Sequence, residues 1–454
     1  MAGIGFEIRK ILKKNTLLSV FEAYGYAGLI GSGPWLLSII ALMLIGILSL
    51  GVVLPKVLII QFLTLITYMM AASLILTGGL QLLLTRFVAD LFFQKKDEQV
   101  LPNLLGAQLV TTLAALLIGL AVWPILPLPV VTKIIILGAF VSLCNQWLGA
   151  IFLSGMKEYR LILVTMLSGY SFMVLLAFLL RDWQIDGLFF AFFAGEALLF
   201  FSFLFMIIRR YPGGKLISFD FLNNKKVYYS LFFCGLFYNI GVWADKIIFW
   251  YSPATSIQII GTLRASPIYD LPIFLAYLTI IPGMAVFLVR METDFVEQYD
   301  RFYTAIRGGS SLEEIFYLKD KMVQTAQGGL YDIFKIQGIT VACLLLWGEQ
   351  ILTFIGIDPN YKTLLFIDVV GVGVQVIFLS ILNILFYLDK RATVLFLSGL
   401  FLFINIVFTI ASIALGPQFY GYGFALSTII TSVIGLYWLS KQFEELEYET
   451  FMLQ

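Results

Sequence analysis

Long apolar runs, separated by short charged segments, dominate the sequence. A helix needs about 20 apolar residues to cross roughly 30 Å of hydrocarbon. Windows of that length predict twelve spans, near Ala27–Leu50, Val57–Leu84, Leu104–Trp123, Val130–Phe152, Leu161–Leu180, Gly187–Ile208, Val227–Trp250, Ile268–Leu288, Leu330–Phe354, Leu364–Leu388, Thr393–Leu415 and Tyr422–Leu439. The pattern therefore predicts an all-α integral membrane protein with twelve transmembrane helices.

Basic residues concentrate in alternate connecting segments, such as those containing Arg9–Lys14, Lys95–Lys96 and Arg209–Lys226. Cytoplasmic loops carry most Lys and Arg in membrane proteins, so both termini are predicted to be cytoplasmic. The basic segment in the middle of the chain divides the spans into two sets of six. The predicted organisation is an amphipathic interfacial helix over residues 1–22, an N-terminal six-helix lobe over 23–210, a cytoplasmic linker over 211–226, a C-terminal six-helix lobe over 227–440 and a cytoplasmic tail over 441–454.

Composition supports a membrane protein and excludes several functions. Hydrophobic residues make up 60% of the chain and charged residues only 13%, whereas soluble domains contain about 25% charged residues. The net charge of +1 and the absence of a dense basic block argue against nucleic-acid binding. No histidine is present, and Cys144, Cys234 and Cys343 are isolated in apolar runs. We therefore expect buried cysteines, no metal site and no cofactor.

The longest inner loop, residues 290–329, contains a helical apolar stripe formed by Met291, Phe295, Tyr299, Phe302 and Ile306. Two interpretations remain open. The helix either lies on the membrane surface or the neighbouring lobe, or it forms a docking platform for a cytoplasmic partner. A second short helix is expected after Gly308, with Ser310 or Ser311 as its N-cap. The candidate docking residues on the other faces are Glu292, Asp294, Glu297, Asp300 and Arg301.

Ionisable side chains within spans are costly, so they are candidate functional residues. Glu196 lies near the predicted midplane, where it either pairs with a neighbouring helix or contributes to cation coupling or substrate contact. Asp245 and Lys246 lie near the outer end of their span. Because adjacent helical residues do not face each other, we do not expect them to be partners. Together with Arg264, Asp270, Glu349 and Asp368, they predict a hydrated, slightly acidic outer vestibule.

Helix-breaking and polar residues provide further candidates. Gly28, Gly31, Gly33 and Pro34 are expected to interrupt the first span, while Pro267, Pro272 and Pro282 bracket and bend the eighth. We consider Gly33, Pro34, Pro272 and Pro282 candidate hinge residues, because broken helices are tolerated where protein or water satisfies the backbone. Amides at comparable depth could contact sugar hydroxyls, and the candidates are Gln81, Asn145 and Asn239.

Several specific strings resemble those of the PelG family, the inner-membrane transporters of Pel exopolysaccharide systems. They are Met1–Lys10, Ser32–Trp35, Leu84–Asp90, Asp245–Trp250, Ser266–Pro272, Ile281–Met284 and Arg290–Phe295. The resemblance covers essentially the whole chain. It implies the fold of the multidrug/oligosaccharidyl-lipid/polysaccharide flippase (MOP) superfamily, with two six-helix lobes flanking a cavity of alternating access.

The resemblance also implies a function and partners. The substrate would be an N-acetylgalactosamine-rich polymer that moves from cytoplasm to periplasm during biofilm matrix formation. The partners would be membrane lipid, a PelF-like cytoplasmic glycosyltransferase and PelD- and PelE-like membrane regulators. No ligand residues are carried over from the family. A cation-coupled lipid-linked oligosaccharide flippase, a multidrug exporter of the same fold and, least favoured, a membrane-embedded transferase remain alternatives.

Overall fold

A computed structural model describes residues 11, 16–155, 159–211, 214–223, 228–355 and 358–452. Nearly all of these residues are helical, as expected where lipid cannot hydrogen-bond to the backbone. The first half of the chain contains α1 (Leu17–Ser49), α2 (Val57–Phe93), α3 (Val100–Val122), α4 (Val130–Gly155), α5 (Tyr159–Leu180) and α6 (Gln184–Arg210). The predicted interfacial helix over residues 1–22 falls mostly outside the described residues.

The second half adds one small hairpin to the helices. It contains α7 (Tyr229–Tyr251), strands β1 (Ile257–Ile260) and β2 (Leu263–Ala265), α8 (Pro267–Leu278), α9 (Ile281–Val289), a π-helical segment (Arg290–Phe295), α10 (Val296–Gly308), α11 (Leu312–Ile355), α12 (Lys362–Tyr387), α13 (Arg391–Leu415) and α14 (Tyr422–Met452). The hydrophobic pattern of the sequence predicted only helices. The hairpin was missed because its strands are four and three residues long.

Ten stretches of the described residues are long and apolar enough to cross a membrane. One of them, Arg160–Arg210, contains both α5 and α6, and the shorter apolar helix Leu37–Ser49 is part of α1. The prediction of a multi-pass helical membrane protein is thus confirmed. The count of twelve crossings and the cytoplasmic location of both termini stay predictions.

The chain forms two compact units. The N-terminal unit comprises Gly33–Trp243 and Phe249–Ser266, and the C-terminal unit comprises Met1–Ser32, Ala244–Ile248 and Pro267–Gln454. Their boundaries fall inside α1 and α7, whereas the predicted lobes change at residues 211–226. The predicted assignment of six spans to each lobe therefore stays a prediction.

The described part of the predicted linker is docked onto α3. The backbone N–H of Ser218 donates a 3.0 Å hydrogen bond to the carbonyl of Pro102. The Ser218 hydroxyl and the Asn103 amide both donate to Asp220, and Phe221 is fully buried. Residues 214–223 are therefore an integral part of the N-terminal unit.

Within the N-terminal unit, glycines allow α2 and α7 to cross at close range. A Cβ atom on Gly235 would lie 2.2 Å from the backbone oxygen of Gly78, and one on Gly79 would lie 2.7 Å from the ring of Phe232. Such short distances exclude any side chain at these positions without displacement of a helix. Glycine at this crossing is thus dictated by steric packing.

The two predicted helix interruptions have different outcomes. The eighth span is broken, since α8 ends at Leu278 and α9 begins at Ile281, immediately before Pro282. By contrast, α1 is helical throughout, so the predicted interruption at Gly28–Pro34 was wrong. Its glycines instead permit packing, because a Cβ atom on Gly31 would lie 2.8 Å from Leu288 of α9. The hinge functions of Gly33, Pro34, Pro272 and Pro282 stay predictions.

The long inner loop is a helical extension of the C-terminal unit. The predicted stripe is buried there, with Met291, Phe295 and Phe302 fully inaccessible. Ser311 caps the next helix as predicted, because its hydroxyl accepts a hydrogen bond from the backbone N–H of Glu314. However, α11 continues without a break for 44 residues and joins the predicted cap helix to the predicted ninth span. At 1.5 Å per residue it is about 66 Å long, roughly twice the thickness of the hydrocarbon layer.

The cysteines are free in the described residues, and two of the three are buried as expected. Cys343 is exposed on α11, so its prediction as a buried residue was wrong. Apolar residues can face outward on a helix that is surrounded by lipid, which the sequence alone did not distinguish from burial against protein.

Candidate functional site

Charged and aromatic side chains from five helices meet in the interior of the C-terminal unit. We call this group the ion cluster. It consists of Asp245 and Lys246 from α7, Tyr269 and Tyr277 from α8, Asp368 from α12, Asn405 from α13 and Phe424 from α14. Asp245 and Asp368 are fully buried, and only 5% of the Lys246 surface is exposed.

The carboxylate of Asp245 is the best-bonded group in the ion cluster. The Lys246 ammonium lies 3.0 and 3.2 Å from its two oxygens. The Tyr269 hydroxyl donates a 2.5 Å hydrogen bond to Oδ2, and the Asn405 amide donates one of 3.3 Å to Oδ1. The prediction that Asp245 and Lys246 are not partners was therefore wrong. The four-carbon lysine stem is flexible enough to return to the preceding residue, and burial favours this pairing because an isolated ammonium would lose its hydration.

Aromatic rings surround the other side of the Lys246 ammonium. Its Nζ lies 5.0 Å from the ring centroid of Tyr277 and 5.1 Å from that of Phe424. The Tyr277 hydroxyl is 3.5 Å away. Such ring faces attract cations through their quadrupoles, and the attraction is stronger in a desolvated site. The ammonium is therefore held by one carboxylate and two aromatic faces.

Asp368 carries the second acidic group of the cluster. It interacts electrostatically with Asp245 and Lys246, but neither of its oxygens has a hydrogen-bond partner among the described residues. Gly421, with a φ of +85°, closes this side of the cluster, since a Cβ atom there would lie 2.9 Å from Asp368 Oδ1. A buried carboxyl group without hydrogen bonds is a costly feature and suggests a functional role.

The predicted hydrated vestibule is not what the structure shows. Asp245, Lys246 and Asp368 are packed inside protein, and neighbouring helices bring polar partners to Asp245 and Lys246. The other charges lie elsewhere: Glu349 is exposed and forms a 2.7 Å ion pair with Lys362, and Asp270 is half-buried in α8. Arg264 belongs to the β-hairpin of the N-terminal unit.

The hairpin holds Arg264 in place through local bonds. Its guanidinium donates to the hydroxyl and carbonyl of Ser256 at 2.8 and 3.1 Å. The Tyr68 hydroxyl of α2 donates a 2.8 Å hydrogen bond to the Arg264 carbonyl, and Gln61 donates to that of Ile259. These contacts give Arg264 a structural role in anchoring the hairpin to α2.

A second polar group lies in the N-terminal unit, and we call it the Glu196 centre. Glu196 on α6 is fully buried, with Tyr170 of α5 and Gln146 of α4 nearby. Both oxygens of Glu196 are without hydrogen-bond partners among the described residues, whereas Tyr170 interacts with the polar side chains of Gln146 and Ser38. A buried carboxyl group with two unsatisfied oxygens is unusual in a native protein, where each is expected to have a partner or an ordered water.

The three candidate amides are all in the N-terminal unit, where Gln81 and Asn239 bond within their own helices. Gln81 donates to Thr77 at 2.9 Å, and Asn239 donates to the backbone carbonyl of Gly235 at 2.8 Å. Asn145 is buried and donates to Thr112 of α3 at 2.8 Å, which joins two helices. Their predicted role in substrate contact stays a prediction.

The predicted docking residues divide into a buried and an accessible group. Glu292 is 1% exposed and accepts hydrogen bonds from Asn383 and Tyr387 of α12 at 2.9 and 2.8 Å. Its prediction as a docking residue was wrong, because the π-helical segment turns it toward α12. Asp300 and Arg301 are exposed, and Arg301 forms an ion pair with the half-buried Glu297.

Arg290 connects this segment to α11. Its guanidinium lies 2.9 Å from Asp294 and 2.8 Å from Asp332. These three residues line a cleft of about 430 Å³, together with Glu297, Gln298, Thr325, Gly328 and Gly329. The cleft combines carboxylates, a guanidinium and an amide, which are groups that bind polar ligands.

Several residues of these sites were not among the sequence candidates. Asn405 could have been found from a polar stripe on α13, because Ser398, Asn405, Thr409 and Ser412 recur at helical spacing and are all buried. Tyr277 and Phe424 gave no such signal, since aromatic residues are common in apolar spans and at membrane interfaces.

Comparison with known families connects this architecture to transport. The model of the PelG family, described as "Putative exopolysaccharide Exporter (EPS-E)", matches residues 1–451. The chain belongs to the PelG family. It is accordingly a multi-pass membrane transporter and not an enzyme. No curated protein matches the sequence.

Solved structures with the same fold are transporters of the MOP superfamily. One from Pyrococcus furiosus has a TM-score of 0.65 at 12% identity and covers 93% of this chain and 96% of its own. A multidrug resistance MATE family transporter in an outward-facing conformation has a TM-score of 0.66 at 13% identity, with coverage of 93% and 96%. A MATE structure in a bent conformation has a TM-score of 0.64 at 12% identity and covers 98% of each chain. At these identities the similarity establishes the fold of this PelG family member.

Proposed function

We propose that this PelG family member exports a Pel-type exopolysaccharide, rich in N-acetylgalactosamine, from the cytoplasm to the periplasm. The family match over residues 1–451 is the observation that carries the proposal. In this proposal the protein lies in the bacterial inner membrane, crosses it twelve times and has both termini in the cytoplasm. The exported polymer contributes to a biofilm matrix.

Transport would proceed by alternating exposure of a polar pathway to the two sides of the membrane. The ion cluster and the Glu196 centre support a transport role, because buried ionisable groups in membrane proteins commonly occur in substrate and ion pathways. The break between α8 and α9 at Thr279–Ile280 also fits, since interrupted helices occur around binding sites in transporters. No covalent chemistry is required of the chain.

A PelF-like glycosyltransferase would supply the polymer on the cytoplasmic side, and PelD- and PelE-like regulators would bind in the membrane. The surface proposed for the glycosyltransferase includes Asp300 and Arg301, which are exposed on α10. Their opposite charges would favour a polar, electrostatically complementary interface. Glu292 is excluded from this surface by its burial.

The alternative is a cation-coupled flippase of lipid-linked oligosaccharides or a multidrug exporter. The fold similarity to MATE transporters favours these alternatives as much as it favours polymer export. They would require a smaller substrate and no synthase, so the substrate itself distinguishes them.

Reconstituted vesicles provide the test. The purified protein is inserted into vesicles, and uptake of radiolabelled polymer is measured with the glycosyltransferase, without it, and in protein-free vesicles. Polymer protected from an added hydrolase only in protein-containing vesicles supports the proposal. Accumulation of a cationic dye or of a lipid-linked oligosaccharide, without protection of polymer, would instead establish the alternative.

A further inference from the structure

The ion cluster contains its own cation. The two acids, Asp245 and Asp368, and the base Lys246 are all at least nine-tenths buried. Charges in a low-dielectric interior require an opposite charge or hydrogen bonds, since an isolated buried ion loses its hydration and gains no interaction that replaces it. The ammonium compensates one of the two acids, Asp245, whose oxygens lie 3.0 and 3.2 Å from it, and without the ammonium this buried carboxylate would lose its counter-charge in the cluster.

The surroundings of the ammonium are those of a monovalent cation site. Two carboxylate oxygens lie within 3.2 Å of Nζ, and a phenolic oxygen lies at 3.5 Å. Two aromatic faces, with ring centroids at 5.0 and 5.1 Å, also line its surroundings. Oxygen atoms and aromatic ring faces can also bind a small metal cation such as Na⁺. Here the ammonium group of Lys246, which is part of the chain, occupies that position.

The carboxylate that binds the ammonium is fixed from two other helices. Tyr269 and Asn405 donate hydrogen bonds to Asp245, and Thr409 donates a 3.0 Å bond to the side-chain oxygen of Asn405. This network orients the amide of Asn405 as a donor toward Asp245. The site is thus organised for one positive charge, which Lys246 supplies.

We infer that Lys246 is a tethered cation that takes the place of an exchangeable monovalent metal ion at the carboxylate of Asp245. The buried carboxylate of Asp245 consequently needs no Na⁺ as its counter-ion. Removal of the ammonium converts the ion cluster into a Na⁺ site. This inference concerns the ion requirement of the fold and holds whichever substrate the protein transports.

The test measures thermal unfolding of the purified full-length protein in NaCl and in choline chloride at equal ionic strength. The unfolding temperature of wild type should differ by less than about 1 °C between the two salts. Lys246→Met keeps the approximate length of the side chain and removes its charge, and it should be less stable than wild type in choline chloride. Its unfolding temperature should rise by at least about 3 °C in NaCl, because a ligand that binds the native state raises the unfolding temperature. Lys335→Met, a matched change at an exposed position of α11, should show no difference between the salts.

A second variant shows where the Na⁺ binds. Asp245→Asn/Lys246→Met removes both charges of the ion pair, and the Na⁺ response should disappear. A Lys246→Met protein that can be purified only in Na⁺ supports the inference as well. Three results would overturn the inference. The first is that Na⁺ stabilises wild type as strongly as it stabilises Lys246→Met, and the second is that Na⁺ stabilises Lys246→Met no more than Lys335→Met. The third is that Lys246→Met cannot be purified as a folded protein in either salt.

Discussion

The ammonium of Lys246 lies 3.0 Å from the carboxylate of its own chain neighbour, Asp245. Neighbouring residues on a helix point in directions about 100° apart, so such a pair forms only when the longer side chain bends back. The pair is nevertheless reinforced by Tyr269 and Asn405 from two other helices. The carboxylate of Asp245 therefore links α7 to α8 and α13.

Asp245→Asn should destabilise the protein strongly. The substitution leaves the buried Lys246 ammonium without its carboxylate, and breaking a buried ion pair costs about 3–5 kcal/mol. Thermal unfolding of the purified protein measures the loss. Asp245→Asn/Lys246→Met should recover at least half of it, because no buried ammonium then remains. Equal destabilisation of the single and double variants would show that the pair is not the source of the effect.

Glu196→Gln should leave folding and membrane insertion intact but impair transport. The amide has nearly the same shape as the carboxyl group, and no hydrogen bond of Glu196 is lost among the described residues. Vesicle uptake measures the effect, with Glu349→Gln as a control at an exposed position. Wild-type uptake by a well-inserted Glu196→Gln protein would falsify the role of this carboxyl group.

Glu292→Ala should lower the free energy of unfolding by about 1–3 kcal/mol. The change removes the acceptor in Glu292 of the hydrogen bonds from the half-buried Asn383 amide and Tyr387 hydroxyl of α12, and the loss of such bonds to a charged group costs about that amount. Asp300→Ala, on the exposed face of α10, should change stability by less than about 0.5 kcal/mol. If both variants unfolded at the same temperature as wild type, the link between the π-helical segment and α12 would contribute nothing.

Gly235→Ala should destabilise the crossing of α2 and α7. The added Cβ would lie 2.2 Å from the backbone oxygen of Gly78, so the helices must separate, at about 1–3 kcal/mol. Gly338→Ala on α11 is the matched control, because no atom lies within 4 Å of its added Cβ. Alanine is the better helix former, so this control should gain about 0.5–1 kcal/mol. A thermal unfolding measurement in which both substitutions stabilise would contradict close packing at Gly235.

The length of the apolar runs was sufficient to predict the helical, multi-pass architecture, because the lipid imposes length and apolarity on every span. The apolar stripe at Met291, Phe295 and Phe302 and the cap at Ser311 were predictable for the same local reasons. The PelG family itself was predictable from strings such as Ser266–Pro272. Local sequence thus determined much of the fold.

The candidate sites were predicted only as single residues. Asp245, Lys246 and Asp368 stood out as charges in apolar spans, but their convergence depends on the packing of four or more helices. The burial of Glu292 depends on a π-helical segment that shifts the helical register by one residue, which no periodicity revealed. Likewise, Gly28 and Gly31 of α1 predicted a break, whereas their close approach to α9 shows that they serve packing.

The unbroken length of α11 has a mechanical consequence. A rigid rod of about 66 Å converts a small tilt at one end into a large displacement at the other, and a tilt of about 10° moves the far end by about 11 Å. The ion pair between Lys319 of α11 and Glu447 joins α14 to α11 near that end. A tilt of the lipid-embedded turns of α11 would therefore displace the surface that carries Lys319 by a larger distance.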